Sequence, residues 1–125
     1  MEKTKILIVE DEGTIAEYLK LILSRIGYSI VGVVATGEEA VEIAQKNSPD
    51  LVLMDIKLKG NIDGIVACEE IKKSAAIPIL YITAYGDQDI HAKAMATNPS
   101  GLIVKPFKSK QLIEEVEMAL SDKSN

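Results

Sequence analysis

Residues 51–55 read Leu-Val-Leu-Met-Asp, four consecutive apolar residues closed by a carboxylate. A run that short and that uniformly apolar describes a strand covered on both faces, as the strands of a parallel sheet are. Similar runs occur at Lys5 to Val9, Ile79 to Ile82 and Gly101 to Val104. A fifth, Ser29 to Ala35, is less regular because Gly32 lies inside it. The segments between them have helical spacing, clearest in Ile15, Leu19, Ile22, Leu23 and Ile26, which make one apolar face. Thr14 with Glu17, and Thr36 with Glu39, match capping boxes and predict the starts of the first two helices. Gly27 is placed to end the first helix in a left-handed turn. Later helices are expected from near Asp63, Asp87 and Ser109, the last with Leu112, Ile113, Val116, Ala119 and Leu120 on one side. Strand and helix thus alternate five times. That order predicts an α/β fold, a doubly wound parallel sheet with helices on both faces and right-handed crossovers.

The composition narrows what such a fold does. The 125 residues suit one domain over 1–121 with a short tail, 122–125, and leave no room among them for a DNA-binding or catalytic module. Hydrophobic residues at 47% and charged residues at 26% exclude wholesale disorder and fibrous repeats. With 14 Lys+Arg against 19 Asp+Glu the net charge is −5, which argues against direct nucleic-acid binding and for a protein partner or a cation. The single Cys excludes an internal disulfide and a cysteine zinc site, and fits a reducing compartment. No stretch approaches the roughly 20 apolar residues of a membrane helix, so a cytoplasmic protein is expected.

In doubly wound sheets ligands bind outside the carboxyl ends of the strands. Those positions carry Glu10-Asp11, Asp55, Thr83-Ala84 and Lys105-Pro106. Each alone has a bland reading. The acidic pair could cap a turn, Asp55 could be a loop residue, Thr83 a cap and Lys105 a solvated charge. Together at one edge they read differently. Three converging carboxylates repel one another unless a cation lies among them, and hard oxygen ligands without His or Cys point to Mg²⁺. A Lys and a hydroxyl beside them supply donors for an anion, for which a phosphoryl group is the natural candidate.

The segments Ile8-Val9-Glu10-Asp11-Glu12, Leu51-Val52-Leu53-Met54-Asp55, Ile82-Thr83-Ala84 and Val104-Lys105-Pro106-Phe107 resemble the signature of CheY-like receiver domains of two-component response regulators, in order and spacing. The resemblance implies five strands in the order 2-1-3-4-5 and five helices, and a phosphorelay role in which Asp55 accepts a phosphoryl group from a histidine kinase or phosphotransfer protein. By the same resemblance Asp11, Asp55 and the backbone carbonyl of Lys57 hold Mg²⁺, with Glu10 acting directly or through water. Lys105 and Thr83 would bind the phosphoryl group, and the Lys105–Pro106 bond would be cis. Output would pass through the fourth helix, fifth strand and fifth helix to a protein partner, homodimer formation being compatible with this.

Three departures stand out. Leu102 replaces the Tyr or Phe usual three residues before the Lys, so Tyr81 or Tyr85 would have to substitute. The loop Ile56 to Gly64 is one residue longer than usual and lacks its Pro, and Glu10 replaces the commoner Asp. His91 reads as a surface or interface residue, and Cys68 as a small apolar residue in the third helix. Alternatives are the receiver portion of a longer sensor kinase or regulator, a docking-only receiver, and a Mg²⁺-dependent phosphatase with an Asp nucleophile. The last lacks a second Asp two residues on, where Lys57 stands.

Overall fold

The run at Leu51 is the centre of the sheet. In the computed structural model, which describes residues 3–84, 86 and 88–122, all five residues of strand β3 (Leu51–Asp55) are buried. It pairs in parallel with β1 (Lys5–Val9) on one side and β4 (Ile79–Ala84) on the other. Strands β2 (Ser29–Val34) and β5 (Gly101–Lys105) form the edges, so the order is β2-β1-β3-β4-β5. The helices are α1 (Gly13–Arg25), α2 (Gly37–Asn47), α3 (Gly64–Ser74), α4 (Gln88–Met95) and α5 (Ser109–Asp122).

Parity along the strands divides the apolar runs between two cores. Leu7, Val9, Val52, Met54, Ile79 and Tyr81 meet Ala40, Ala44, Ala67, Ile71 and Ala94 from α2, α3 and α4. Ile6, Ile8, Leu51, Leu53, Leu80 and Ile82 meet Leu19, Leu23, Leu112 and Val116 from α1 and α5. Both faces need apolar residues, which is why the runs do not alternate. Each large side chain so buried contributes about 1.5–3 kcal/mol. Gly32 marks an irregularity as its sequence context suggested. The register steps from Ile6↔Ile30 to Leu7↔Gly32, leaving Val31 as a bulge.

The local signals fared unequally. Gly27 (φ 105°) ends α1, with its N–H donating to Ser24 and that of Tyr28 to Leu23, the paired bonds of a Schellman turn. Thr36 caps α2, its Oγ1 accepting from the Glu39 N–H at 3.1 Å and donating to the Glu39 carboxylate at 3.0 Å. Asp63 caps α3 in the same way through Val66. The Thr14–Glu17 box is a correction. Helix α1 begins at Gly13, after Glu12, which makes no side-chain capping bond. The turn through Glu10, whose Oε2 accepts from the Glu12 N–H, enters the helix before Thr14 is reached. Ile26 is 44% exposed because it lies at the C-cap, where the chain leaves the apolar face. Helix α5 continues through Ser121 to Asp122, and residues 123–125 of the expected tail lie outside the described residues. Asp87 and Tyr85 lie outside the described residues.

Candidate functional site

Among the described residues, the buried polar or charged side chains are Glu10, Asp55 and Thr83. All three stand at the carboxyl edge of the three central strands. Burying such groups without compensation is costly, and their confinement to one place marks a site that uses them. The β3 ladder delivers Asp55 opposite Ile82, and the β4 ladder sets Thr83 opposite Val104 and Ala84 opposite Lys105. Asp55 and Lys105 are thus the last residues of β3 and β5 and Thr83 the last but one of β4, inside strands that the apolar runs alone ended sooner, whereas Glu10 directly follows β1.

Glu10, Asp11 and Asp55 each present a carboxylate oxygen within 4.8 Å of the others. Lys105 Nζ lies 3.0 Å from Glu10 Oε1 and 3.4 Å from Asp55 Oδ2. It donates a hydrogen bond to the latter. The ion pair with Lys105 is what Glu10 Oε1 has, buried and with no further hydrogen-bond partner. One ammonium does not neutralise three carboxylates. Burial, with a further push from the neighbouring Glu10, raises the Asp55 carboxyl to about 7, while Lys105 opposes the shift. Burial pulls the Lys105 ammonium down, but its contacts with Glu10 and Asp55 outweigh that and hold it above the ordinary lysine value. A largely buried set of three carboxylates with one ammonium among them favours a divalent cation, which would offset the charge that Lys105 leaves. An all-oxygen acidic set suits Mg²⁺.

The loop after β3 is tied down from outside the sheet. The Asn61 N–H donates to Glu38 Oε2 at 2.9 Å, and Thr36 bridges Lys59. That backbone bond holds the Glu38 carboxyl below its usual range. Lys57, in the same loop, is exposed. Gly64 is a residue that sequence reasoning missed. A Cβ there would overlap the Asp55 carbonyl oxygen and lie 2.9 Å from Ile56 Cα, so α3 can start this close to Asp55 only with glycine. Its position directly after the Asp63 cap was the available signal.

Beside Lys105 opens a cleft of about 520 Å³ lined by Thr14, Ile15, Tyr18, Pro106 and Phe107. The Lys105–Pro106 peptide is cis. Leu102 pairs with Tyr81 across β4 and β5. Tyr81 is fully buried and so cannot act as an aromatic that swings inward from the surface. His91, read as a surface or interface residue, is half-buried, with Nε2 enclosed. Cys68 is a free, buried thiol, as expected of a small core residue.

The family model of the response regulator receiver domain matches residues 6–117. The chain belongs to that family. Receiver domains are phosphoacceptors and not enzymes in the ordinary sense, and they act in phosphorelay signalling. Among curated proteins, the receiver is 40% identical over 117 residues to the transcriptional regulatory protein PdtaR of Mycobacterium tuberculosis, covering 94% of this chain and 57% of that protein. It is 35% identical to the phyllosphere-induced regulator PhyR of Methylorubrum extorquens, covering 94% of this chain and 43% of that one. The receiver thus spans about half the length of these relatives. Among solved structures, the signal receiver domain of a modulated diguanylate cyclase from Desulfovibrio desulfuricans superposes with a TM-score of 0.91 at 35% identity, over 98% of each chain. The N-terminal domain of a three-domain response regulator from Carboxydothermus hydrogenoformans gives 0.87 at 35% identity, over 96% of each. No helix among the described residues is long and apolar enough to cross a membrane.

Proposed function

We propose that the receiver takes a phosphoryl group from a phosphohistidine onto Asp55 and that the acyl phosphate switches a protein-interaction surface. The observation that carries this is the buried edge itself: Asp55 with Glu10 and Asp11 beside it, Lys105 against both Glu10 and Asp55, and Thr83 near the end of the next strand. An Asp55 carboxylate oxygen attacks phosphorus in line, the phosphorus–nitrogen bond breaks, and the imidazole leaves. Glu10, Asp11 and Asp55, with the backbone carbonyl of Lys57, would hold Mg²⁺, which when bound offsets charge on the phosphoryl oxygens. Lys105 would pair with one of those oxygens and the Thr83 hydroxyl would donate to another. The same residues would assist water in removing the group. The cleft between Tyr18 and Phe107 borders Lys105 and gives a donor protein an apolar foothold at the site. The output partner, the cytoplasmic setting and any domain beyond these residues follow the same reading, with the protein contact as the output.

Incubation with Mg²⁺ and acetyl phosphate should raise the intact mass by one phosphoryl group, and Asp55→Asn should abolish the gain. A wild-type protein that stays unmodified, or an Asp55→Asn variant that is still modified, would refute the assignment.

A further inference from the structure

Helix α4 is the shortest helix, eight residues, and of these only Ala94 is buried. Ile90 packs partly against the same core as Ala94, and polar ties add to the packing of the helix. At its carboxyl end those ties converge on one hydroxyl. Thr97 Oγ1 donates to the Ala94 carbonyl at 2.6 Å and lies 2.9 Å from the Tyr81 hydroxyl. Since a threonine hydroxyl has a single proton, already committed to Ala94, Tyr81 is the donor in the second bond. Cys68 Sγ donates weakly to the same oxygen at 3.7 Å. Both lone pairs and the proton of Thr97 are therefore used, by β4, α3 and α4 together. One residue further, the Asn98 carbonyl accepts from Lys72 Nζ of α3 at 2.8 Å. A groove of about 560 Å³ lies between α3 and α4 at this point, lined by Lys72, Lys93 and Thr97 among others.

Tyr81 and Thr83 project from the same face of β4, two residues apart, Tyr81 into the core and Thr83 into the site. The strand that presents Thr83 to the phosphoryl group is thus the strand that holds Thr97. We infer that Thr97, held by the Tyr81 hydroxyl, is a fixed pivot at the carboxyl end of α4, about which the amino-terminal half of the helix turns when Asp55 is phosphorylated. This rests on the receiver reading above. It gives Tyr81 a role different from that of the missing aromatic at position 102. Tyr81 does not move; it confines the movement to one end of α4, next to the segment that follows Thr83.

Hydrogen exchange by mass spectrometry on wild type, Tyr81→Phe and Thr97→Val, with and without acetyl phosphate and Mg²⁺, tests the pivot. Intact mass on the same samples reports phosphorylation. In the wild type, phosphorylation should change exchange over residues 88–92 and leave 94–98 unaltered. Tyr81→Phe, which keeps the ring and the packing, should speed exchange at 94–98 about three- to tenfold even without phosphodonor, the loss expected for one buried hydrogen bond. It should also spread the phosphorylation response along the whole helix. A phosphorylated wild type whose 94–98 segment responds as strongly as 88–92, or a Tyr81→Phe variant with wild-type protection there, would overturn the pivot while leaving the receiver reading intact. Absence of the adduct would overturn both.

Discussion

The Asp55 carboxyl is surrounded by contacts that act on different parts of it. Lys105 and Glu10 address its side-chain oxygens, whereas Gly64 approaches its backbone carbonyl. The Gly64 N–H also donates to the Ile56 carbonyl at 2.8 Å, so this glycine closes the loop that starts at the phosphoacceptor. The constraint is one of space, since Gly64 is not among the positive-φ glycines. A methyl group there meets backbone atoms, which have nowhere to rotate. Gly64→Ala should therefore destabilise the fold by about 1–3 kcal/mol, the usual cost of overpacking, or more if β3 is displaced. It should also slow phosphorylation of Asp55 by acetyl phosphate at temperatures where the variant remains folded. Denaturant melts and phosphorylation rates check the two effects separately. A variant with wild-type stability would show that the loop yields without cost.

Between β3 and α3, order is borrowed from α2. Glu38 and Thr36 at the start of α2 hold Asn61 and Lys59, and Thr36 also caps its own helix. Thr36→Ala should cost about 1 kcal/mol through the cap and should weaken Mg²⁺ binding by loosening the loop that carries Lys57. Chemical denaturation and Mg²⁺ titration of the variant measure the two losses, and an unchanged Mg²⁺ affinity would show that the loop holds itself. The contrast between the two capping boxes shows where sequence reading succeeds. Thr36 has no competing polar neighbour upstream, and its hydroxyl caps the helix as the pattern implies, although the Glu39 carboxylate accepts from that hydroxyl and not from a backbone donor. Thr14 follows Glu10-Asp11-Glu12, whose own turn starts the helix first, and no helix pattern contains that information. The strands were legible because both faces of the sheet need apolar residues. Asp55, Thr83 and Lys105 belong to their strands and not to the turns after them, because a strand ladder continues through a polar side chain when the site buries it, whereas Glu10 follows β1 as its apolar run implied. The loop's attachment to α2 and the bonds at Thr97 join residues far apart in sequence, and no local pattern announces them.

Across the whole molecule, the topology brings the ends of β1, β3, β4 and β5 to one edge, and this made the acidic set readable before any geometry was known. What the sequence could not supply is how strongly the set opposes ionisation. In the absence of metal, folded Asp55 keeps its proton up to about pH 7, whereas the unfolded chain releases it near 3.8. Between those values the folded state binds more protons than the unfolded one, so stability declines as pH rises through the interval and levels off above it. Below about pH 4 both states are protonated and the full contribution is present. Thermal melts in EDTA should accordingly show the wild type losing stability between about pH 4 and about pH 7 relative to Asp55→Asn, which has no carboxyl to ionise. Mg²⁺ should act in the opposite sense. It binds the ionised set, so at ten times its dissociation constant it should add about 1.4 kcal/mol, with the larger rise in Tm at the higher pH. Should wild type and Asp55→Asn follow the same pH dependence in EDTA, the raised Asp55 carboxyl is not a property of the folded receiver. If Mg²⁺ raised both Tm values equally, the ion would be bound without Asp55.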